Sequence, residues 1–361
     1  MGKVAVVRQE YLPISETFIY NELVHLKQFS PVVFAKKLIN LDKFPFEPII
    51  VYEKKKELLS HFQNLNINLI HARFGIAGVK LLKVKRKLNI PMITSFHGFD
   101  LPSNQRVYQK YYGEFLQELF HEGEVFTVVS SFMKDILMEY GCPEEKIIVH
   151  FSGIDIDRFH YECNRNDYFK EITILSVGRL VHKKGMEQLI EAFSIVSEKY
   201  PHVKLRIVGD GPLREKLENI IRKYNLSEKV KLLGAVTHHE VAFEMKKASF
   251  FVLASHTDHN GNQEGIPNVI KEAMACGLPV ISTKHAGIPE LVTHEVSGFL
   301  AEEKNSQDLA KWMMKMIDQK NRWKELGEKG REKIIKDFHL QKQIEKLEEL
   351  YRKLVHEYNK Y

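Results

Sequence analysis

Two kinds of hydrophobic pattern alternate along the chain. In its first half, VAVV, PVVFA, IIVY, LIHARF, PMITSFH, VFTVV and KIIVHF are short apolar runs rich in β-branched and aromatic residues, and they predict strands. Between several of them, SETFIYNELVHLKQF, KKELLSHFQNL and SFMKDILMEYG space their apolar residues at the helical period. The first of these helices begins in a cap-like Ser15-Glu16-Thr17, and the last stops at Gly141 with Pro143 just beyond.

The second half repeats the theme. ITILSVG, VKLRIVG, VKLLGAV, FFVLAS and PVIST read as strands, with MEQLIEAFSIVSEKY, REKLENIIRKYN, HEVAFEMKKA and NVIKEAMACG as the helices between them. Strands apolar along their whole length are buried on both faces, as in a parallel sheet between helical layers. The expected fold is therefore α/β, with two Rossmann-like doubly wound domains facing a central cleft. The polar stretch Asp157 to Lys170 is the expected joint, giving domains at 1–163 and 164–335. The charged tail is expected to form a helix over 336–361 that crosses back onto the first domain.

Length and composition narrow the classes. At 361 residues the chain is long for one core and comfortable for two. Its 53 basic residues are nearly balanced by 47 acidic ones, which argues against a nucleic-acid binder with a dedicated basic stripe. Arg8, Gln9 and Glu10 interrupt the opening apolar run, so it is expected to be a strand and not a signal peptide. No run approaches the ~20 apolar residues of a membrane-spanning helix. Cys142, Cys163 and Cys276 lack CxxC spacing, so neither a disulfide framework nor a zinc site is expected. A cytoplasmic location follows as an expectation, with reduced thiols.

The most informative stretch is Gln263 to Thr283, QEGIPNVIKEAMACGLPVIST. Glu264 falls in a loop, Gly265 permits a tight backbone, Pro267 suits a first helical turn, and Gly277 and Pro279 end the helix. Glu272 then lies on that helix, eight positions after Glu264. Free N–H groups at the helix start, beside Gly265 and Ile266, offer a seat for a diphosphate, with one carboxylate at its mouth and another farther along. A capping Glu264 and a solvated Glu272 are the plainer alternative. There is no complete GxGxxG around Gly209 and Gly211, because Arg214 stands where a third glycine would fall, which weakens an NAD-binding reading.

This run resembles the E-x7-E signature of retaining glycosyltransferases of the GT-B fold, specifically family 4. The resemblance covers nearly the whole chain. Gly178-Arg179-Leu180 followed by Lys183-Lys184-Gly185 is similar to the family's GRL…KG element, and Gly209-Asp210-Gly211-Pro212-Leu213 to its GDGPL turn. Gly287-Ile288-Pro289-Glu290-Leu291 and Gly298-Phe299-Leu300 match its GIPEL and GFL elements. The early Pro13-Ile14-Ser15-Glu16-Thr17-Phe18, with His71-Ala72-Arg73-Phe74-Gly75, resembles the branch that builds capsule, colanic-acid-like and other exopolysaccharides.

The resemblance implies chemistry residue by residue. Departure of a nucleotide diphosphate develops negative charge, which Arg179 and Lys184 would meet, with Lys183 a bystander. No metal is then required: Asp155-Ile156-Asp157 and Asp258-His259-Asn260 come closest to a DxD pair but lack family support as metal sites. Glu272 would bind the nucleotide ribose and Glu264 the donor sugar near its C3 hydroxyl. The backbone of Gly178, Gly211, Gly265, Ile266, Pro267 and Asn268 would approach the donor. His97, after the strand PMITSF, would make a polar contact to the sugar, with Asp100 a weaker candidate from the same loop. Ser15, Glu16 and Arg73 are acceptor-side candidates, with helix capping and a structural ion pair as the alternatives. The expected partners are a nucleotide-sugar donor, UDP-linked first, and a glycan or polyprenyl-linked acceptor. Lys80, Lys83, Lys85, Arg86 and Lys87 form a basic cluster suited either to a membrane surface or simply to solvent. Other readings are a nucleotide-sugar epimerase of the same fold and a non-catalytic two-domain sugar binder.

Overall fold

The computed structural model describes residues 2–159 and 171–358. The chain divides into two compact units, Met1–Gly153 with Leu340–Tyr361, and Ile154–His339. The expected boundary between 163 and 164, and Cys163 with it, lie outside the described residues. The division instead falls at Gly153/Ile154 and again at His339/Leu340.

The first unit is built on a parallel sheet of β1 (Gly2–Tyr11), β2 (Phe29–Leu38), β3 (Ile49–Val51), β4 (Leu69–Arg73), β5 (Met92–Ser95), β6 (Val125–Val128) and β7 (Ile147–Val149). Its order is β3-β2-β1-β4-β5-β6-β7. Val4 to Val7 of β1 are buried on both faces, which explains the unbroken apolar run of a central strand. The edge strands β3 and β7 are short and partly exposed, which limits edge-to-edge pairing.

The helix Leu340–Tyr358 belongs to this unit. Leu347, Tyr351 and Leu354 pack with Val4, Phe29, Leu69 and Ile93 in one buried cluster. Glu348 Oε1 accepts the N–H groups of Lys27 at 2.6 Å and Gln28 at 2.5 Å. Tyr351 is hydrogen-bonded to His71 Nδ1 (2.5 Å), and His71 Nε2 to Ser95 Oγ (2.6 Å), a buried polar chain that continues to Thr127 Oγ1. Burial lowers the His71 pKa well below its ordinary value, so this ring is neutral. Only the start of the expected helix over 336–361 is corrected, to Leu340. The preceding helix Trp323–Asp337 runs through residue 336, and the two are separated at Phe338, whose carbonyl accepts the Ile154 N–H at 2.7 Å.

The second unit repeats the architecture with β8 (Thr173–Val177), β9 (Lys204–Val208), β10 (Val230–Gly234), β11 (Phe250–Val252), β12 (Val280–Thr283) and β13 (Gly298–Ala301). All pair in parallel, in the order β10-β9-β8-β11-β12-β13. In each unit the order reverses beside the first strand, and ligands of doubly wound sheets bind at such a reversal, beyond the strand C-termini. The expected strands and helices are present. β13 was anticipated only as a GFL motif.

Candidate functional site

In the second unit the chain leaves β8 at Gly178-Arg179-Leu180, at the reversal between β8 and β11. Two turns brace each other there. Gly178 N–H donates to Val208 O (2.9 Å), Leu180 N–H to Asp210 O (3.0 Å) and Leu213 N–H to Leu180 O (3.1 Å). The GRL and GDGPL elements, distant in sequence, therefore form one loop platform carrying Gly178 and Gly211. Gly185 closes the next turn at φ +64°, and a Cβ there would lie 1.8 Å from the Ala254 carbonyl oxygen. Only glycine lets the KKG turn sit this close to the end of β11. Lys184 is thereby directed back across Gly178, while Arg179 stays exposed.

Glu264 is buried in the loop between β11 and the helix Asn268–Ala275. Lys184 Nζ lies 3.0 Å from its Oε1, and Lys183 Nζ 3.5 Å away. Burial pushes the Glu264 carboxyl up, but the Lys183 and Lys184 ammonium groups outweigh it and hold the pKa at about 2. Lys183, set aside for the leaving-phosphate role, is tied to the backbone of this loop. Its side chain is buried and donates to the Gln263 carbonyl at 3.0 Å and to Asn262 Oδ1 at 3.3 Å, so it shapes the loop that carries Glu264.

Gly265, Ile266 and Pro267 are buried at the start of the following helix, with Asn268 half-buried. Pro267 takes the N-cap position, just ahead of the first turn, and the helix begins at Asn268, as expected. Glu272 is buried on this helix, and its Oε1 lies 2.9 Å from His238 Nε2. The His238 ring packs edge-on against Phe159 at 5.4 Å. The second unit thus brings Gly178, Lys183, Lys184 and Glu264 together and gives Glu272 a histidine partner.

The other candidates belong to the first unit, at the ends of β1, β4 and β5. The His97 ring sits against Phe18 (4.9 Å) and Phe74 (5.0 Å). Asp100 is fully buried: one oxygen accepts the His97 N–H (2.8 Å), the other the Gly75 N–H (2.7 Å). Burial raises its pKa to about 6, although those N–H groups pull it down. Asp100 therefore anchors the His97 loop. Ser15 is exposed and makes no cap; a 3-10 turn, Ile14–Glu16, precedes the helix Thr17–His25. Glu16 forms an ion pair with Arg8, and Arg73 with Glu22.

Sequence reasoning missed His238, Arg8 and the true place of Lys183. Arg8 is buried with its guanidinium 4.7 Å from the Phe74 ring centre, and its one signal was a cation directly after an apolar run. The basic cluster on the helix Gly75–Leu88 is partly neutralised. Lys85 is buried against Glu124 (2.7 Å) and Arg86 pairs with Glu118 and Glu122, while Lys83 and Lys87 stay exposed.

Comparison with known proteins supplies the family. Residues 164–333 match glycosyl transferases group 1, and residues 24–158 match Glycosyltransferase Family 4. The chain is 36% identical over 275 residues to WcaL of Escherichia coli strain K12, provisionally named a colanic acid biosynthesis glycosyltransferase. That match spans 75% of this chain and 66% of WcaL, just under two thirds of the relative. Identity is 30% over 341 residues with the uncharacterized glycosyltransferase MJ1178 of Methanocaldococcus jannaschii, covering 93% of this chain and 85% of the other. Among solved structures, Anabaena Alr3699/HepE in complex with UDP superposes with a TM-score of 0.84 at 18% identity, covering 98% of this chain and all of that one. With the strand order of both sheets and the ordered motifs on their loops, these matches make the chain a member of glycosyltransferase family 4, with the GT-B fold.

Proposed function

We propose that the protein transfers a sugar, with retention of anomeric configuration and without a divalent metal, from a nucleotide-sugar donor to a glycan or polyprenyl-diphosphate-linked glycan. The pathway class is bacterial exopolysaccharide, capsule or cell-envelope synthesis, as the name of WcaL suggests. A UDP-sugar is the donor favoured, in keeping with the UDP bound by HepE. The observation that carries the reading is the contact of Lys184 with Glu264 at the β8/β11 reversal, a cation and a carboxylate held side by side in a buried setting.

In this reading the bond from the sugar C1 to the phosphate oxygen breaks, and its electron pair goes to the departing diphosphate. Arg179 and Lys184 meet that charge, worth several kcal/mol when such donors are preorganised. Glu264, ionised throughout the neutral range, accepts hydrogen bonds from sugar hydroxyls. Glu272 takes the ribose hydroxyls, sharing or exchanging its contact with His238. His97 makes a polar contact to the sugar, on a loop that Asp100 holds in place. The acceptor hydroxyl attacks C1 on the face the phosphate leaves, and its proton goes to the departing phosphate oxygen.

A cytoplasmic location, with peripheral contact at the inner membrane surface, completes the proposal. No helix among the described residues is long and apolar enough to cross a membrane. The support for surface contact is the crowding of Lys36, Lys55, Lys80 and Lys83. After burial, the other three ammonium groups are the causes that lower the Lys55 pKa. The direct test of the function is a panel of UDP-, GDP- and ADP-sugars assayed for binding and slow hydrolysis, followed by proton NMR of the product anomer. An inverted anomer would overturn the retaining reading.

A further inference from the structure

The loop carrying Glu264 is tied at two points to one pair, a buried histidine and its half-buried carboxylate partner. Glu264 N–H donates to His285 Nε2 at 3.1 Å, and His285 Nδ1 lies 2.8 Å from Glu303 Oε1. Glu303 Oε2 in turn accepts the Thr257 N–H at 3.0 Å. His285 follows β12 and Glu303 follows β13, so adjacent strand ends present the pair to the loop. The partners fix the tautomer. A backbone N–H only donates, so Nε2 must offer its lone pair, and the ring proton sits on Nδ1, directed at Glu303.

The span between the two ties is also closed on itself. Asp258 N–H donates to the Asn262 carbonyl (3.0 Å), and Asp258 Oδ1 accepts the N–H groups of Asn260 (2.8 Å) and Asn262 (3.1 Å). On the far side Lys183 holds the Gln263 carbonyl, and Gly287 N–H donates to Gly265 O at 3.2 Å. The peptide unit before Glu264 is therefore held from both ends, its carbonyl by Lys183 and its N–H by His285, and the Gly265 carbonyl is held just beyond it.

We infer that His285 is a positioning residue for Glu264: through its Nδ1-protonated, Glu303-oriented imidazole it fixes the backbone from which the Glu264 carboxylate is aimed at the donor sugar. This rests on reading Glu264 as the donor-sugar contact. The Glu264 side chain is buried beside two lysines and has little room to compensate, so rotation of its peptide displaces the carboxylate, and a misplacement of about 1 Å costs on the order of 100-fold in rate. The nucleotide contacts assigned to Glu272 lie on the following helix and do not depend on this tie.

The test compares His285→Phe, which keeps ring volume without an acceptor, His285→Gln, which keeps both an acceptor and a donor, and Glu264→Gln. Three quantities are read: hydrogen exchange of the Glu264 amide without ligand, UDP affinity, and turnover of the donor chosen by the nucleotide-sugar panel. In His285→Phe the Glu264 amide exchanges faster, and saturated turnover falls at least about tenfold while UDP affinity stays within about threefold. His285→Gln restores both protection and turnover to within about threefold. Wild-type turnover in His285→Phe, with Glu264→Gln inactive, overturns the positioning role alone. Parallel loss of UDP affinity and turnover in both His285 variants, with a lowered melting temperature, shows a merely structural histidine and also overturns it. Full activity in Glu264→Gln overturns the donor-sugar reading, and the positioning role falls with it.

Discussion

Lys184 Nζ lies 3.0 Å from Glu264 Oε1, so the cation assigned to the leaving phosphate and the carboxylate assigned to the sugar lie side by side. Lys183, the neighbouring ammonium, is spent on the loop backbone through the Gln263 carbonyl. In the proposed reading the two lysines divide the work, Lys184 serving the chemistry and Lys183 supporting the loop.

Their substitutions should separate accordingly. Lys184→Ala is expected to lower kcat by about 100-fold or more, since one preorganised donor to developing charge is worth roughly that much. Arg179→Ala should lose a comparable factor, with Arg179→Lys recovering part of it. Lys183→Met should cost stability as well as rate, because it removes a buried hydrogen bond to the Gln263 carbonyl and one of the two ammonium groups beside Glu264. Steady-state kinetics together with melting temperatures distinguish the two patterns.

Acid stability reports on Glu264. Its folded pKa of about 2 lies below the ordinary 4.5, so its contribution is full above about pH 4.5 and is lost as pH falls toward 2. The depression corresponds to at most about 3 kcal/mol. Glu264→Gln should remove that portion and flatten the acid limb of a urea-unfolding series between about pH 2.5 and 7. An unchanged limb would show that the carboxylate is not held this way.

The C-terminal helix should behave as part of the first unit's core. Leu347→Ala is expected to cost about 3 kcal/mol, as for other fully buried leucines. Tyr351→Phe, which leaves His71 Nδ1 without its partner, should cost about 1–2 kcal/mol. Equilibrium unfolding followed by a probe in the first unit checks both.

Membrane contact has its own signature. Replacing Lys36, Lys55, Lys80 and Lys83 by Gln should abolish flotation with vesicles rich in anionic lipid, because each cation near such a surface is worth about 1 kcal/mol. Raising the salt should weaken binding of the unaltered protein in the same direction. Flotation indifferent to both changes would leave no electrostatic contact to explain.

The fold was largely legible because each buried strand, such as Val4 to Val7 or Phe250 to Val252, carries its own apolar run. Local signals also located Gly185 and Pro267, although Pro267 serves as a cap. What could not be read were pairings across long separations. Nothing near His238 points to Glu272, and nothing near Glu303 points to His285; the sheet brings them together. Lys183 and Lys184 are adjacent and chemically identical, so only the packing around Gly178 and Gln263 separates their roles. The break after Asp337 was hidden because amphipathic periodicity continues on both sides of it.

In the proposed mechanism Arg179 and Lys184 supply the positive charge that a metal supplies elsewhere. The most direct measurement is turnover of the preferred nucleotide-sugar by protein stripped with EDTA and assayed in metal-free buffer. The expected rate lies within about twofold of the untreated enzyme, with no gain on adding magnesium or manganese. Complete loss of turnover, restored only by one of those ions, would contradict it.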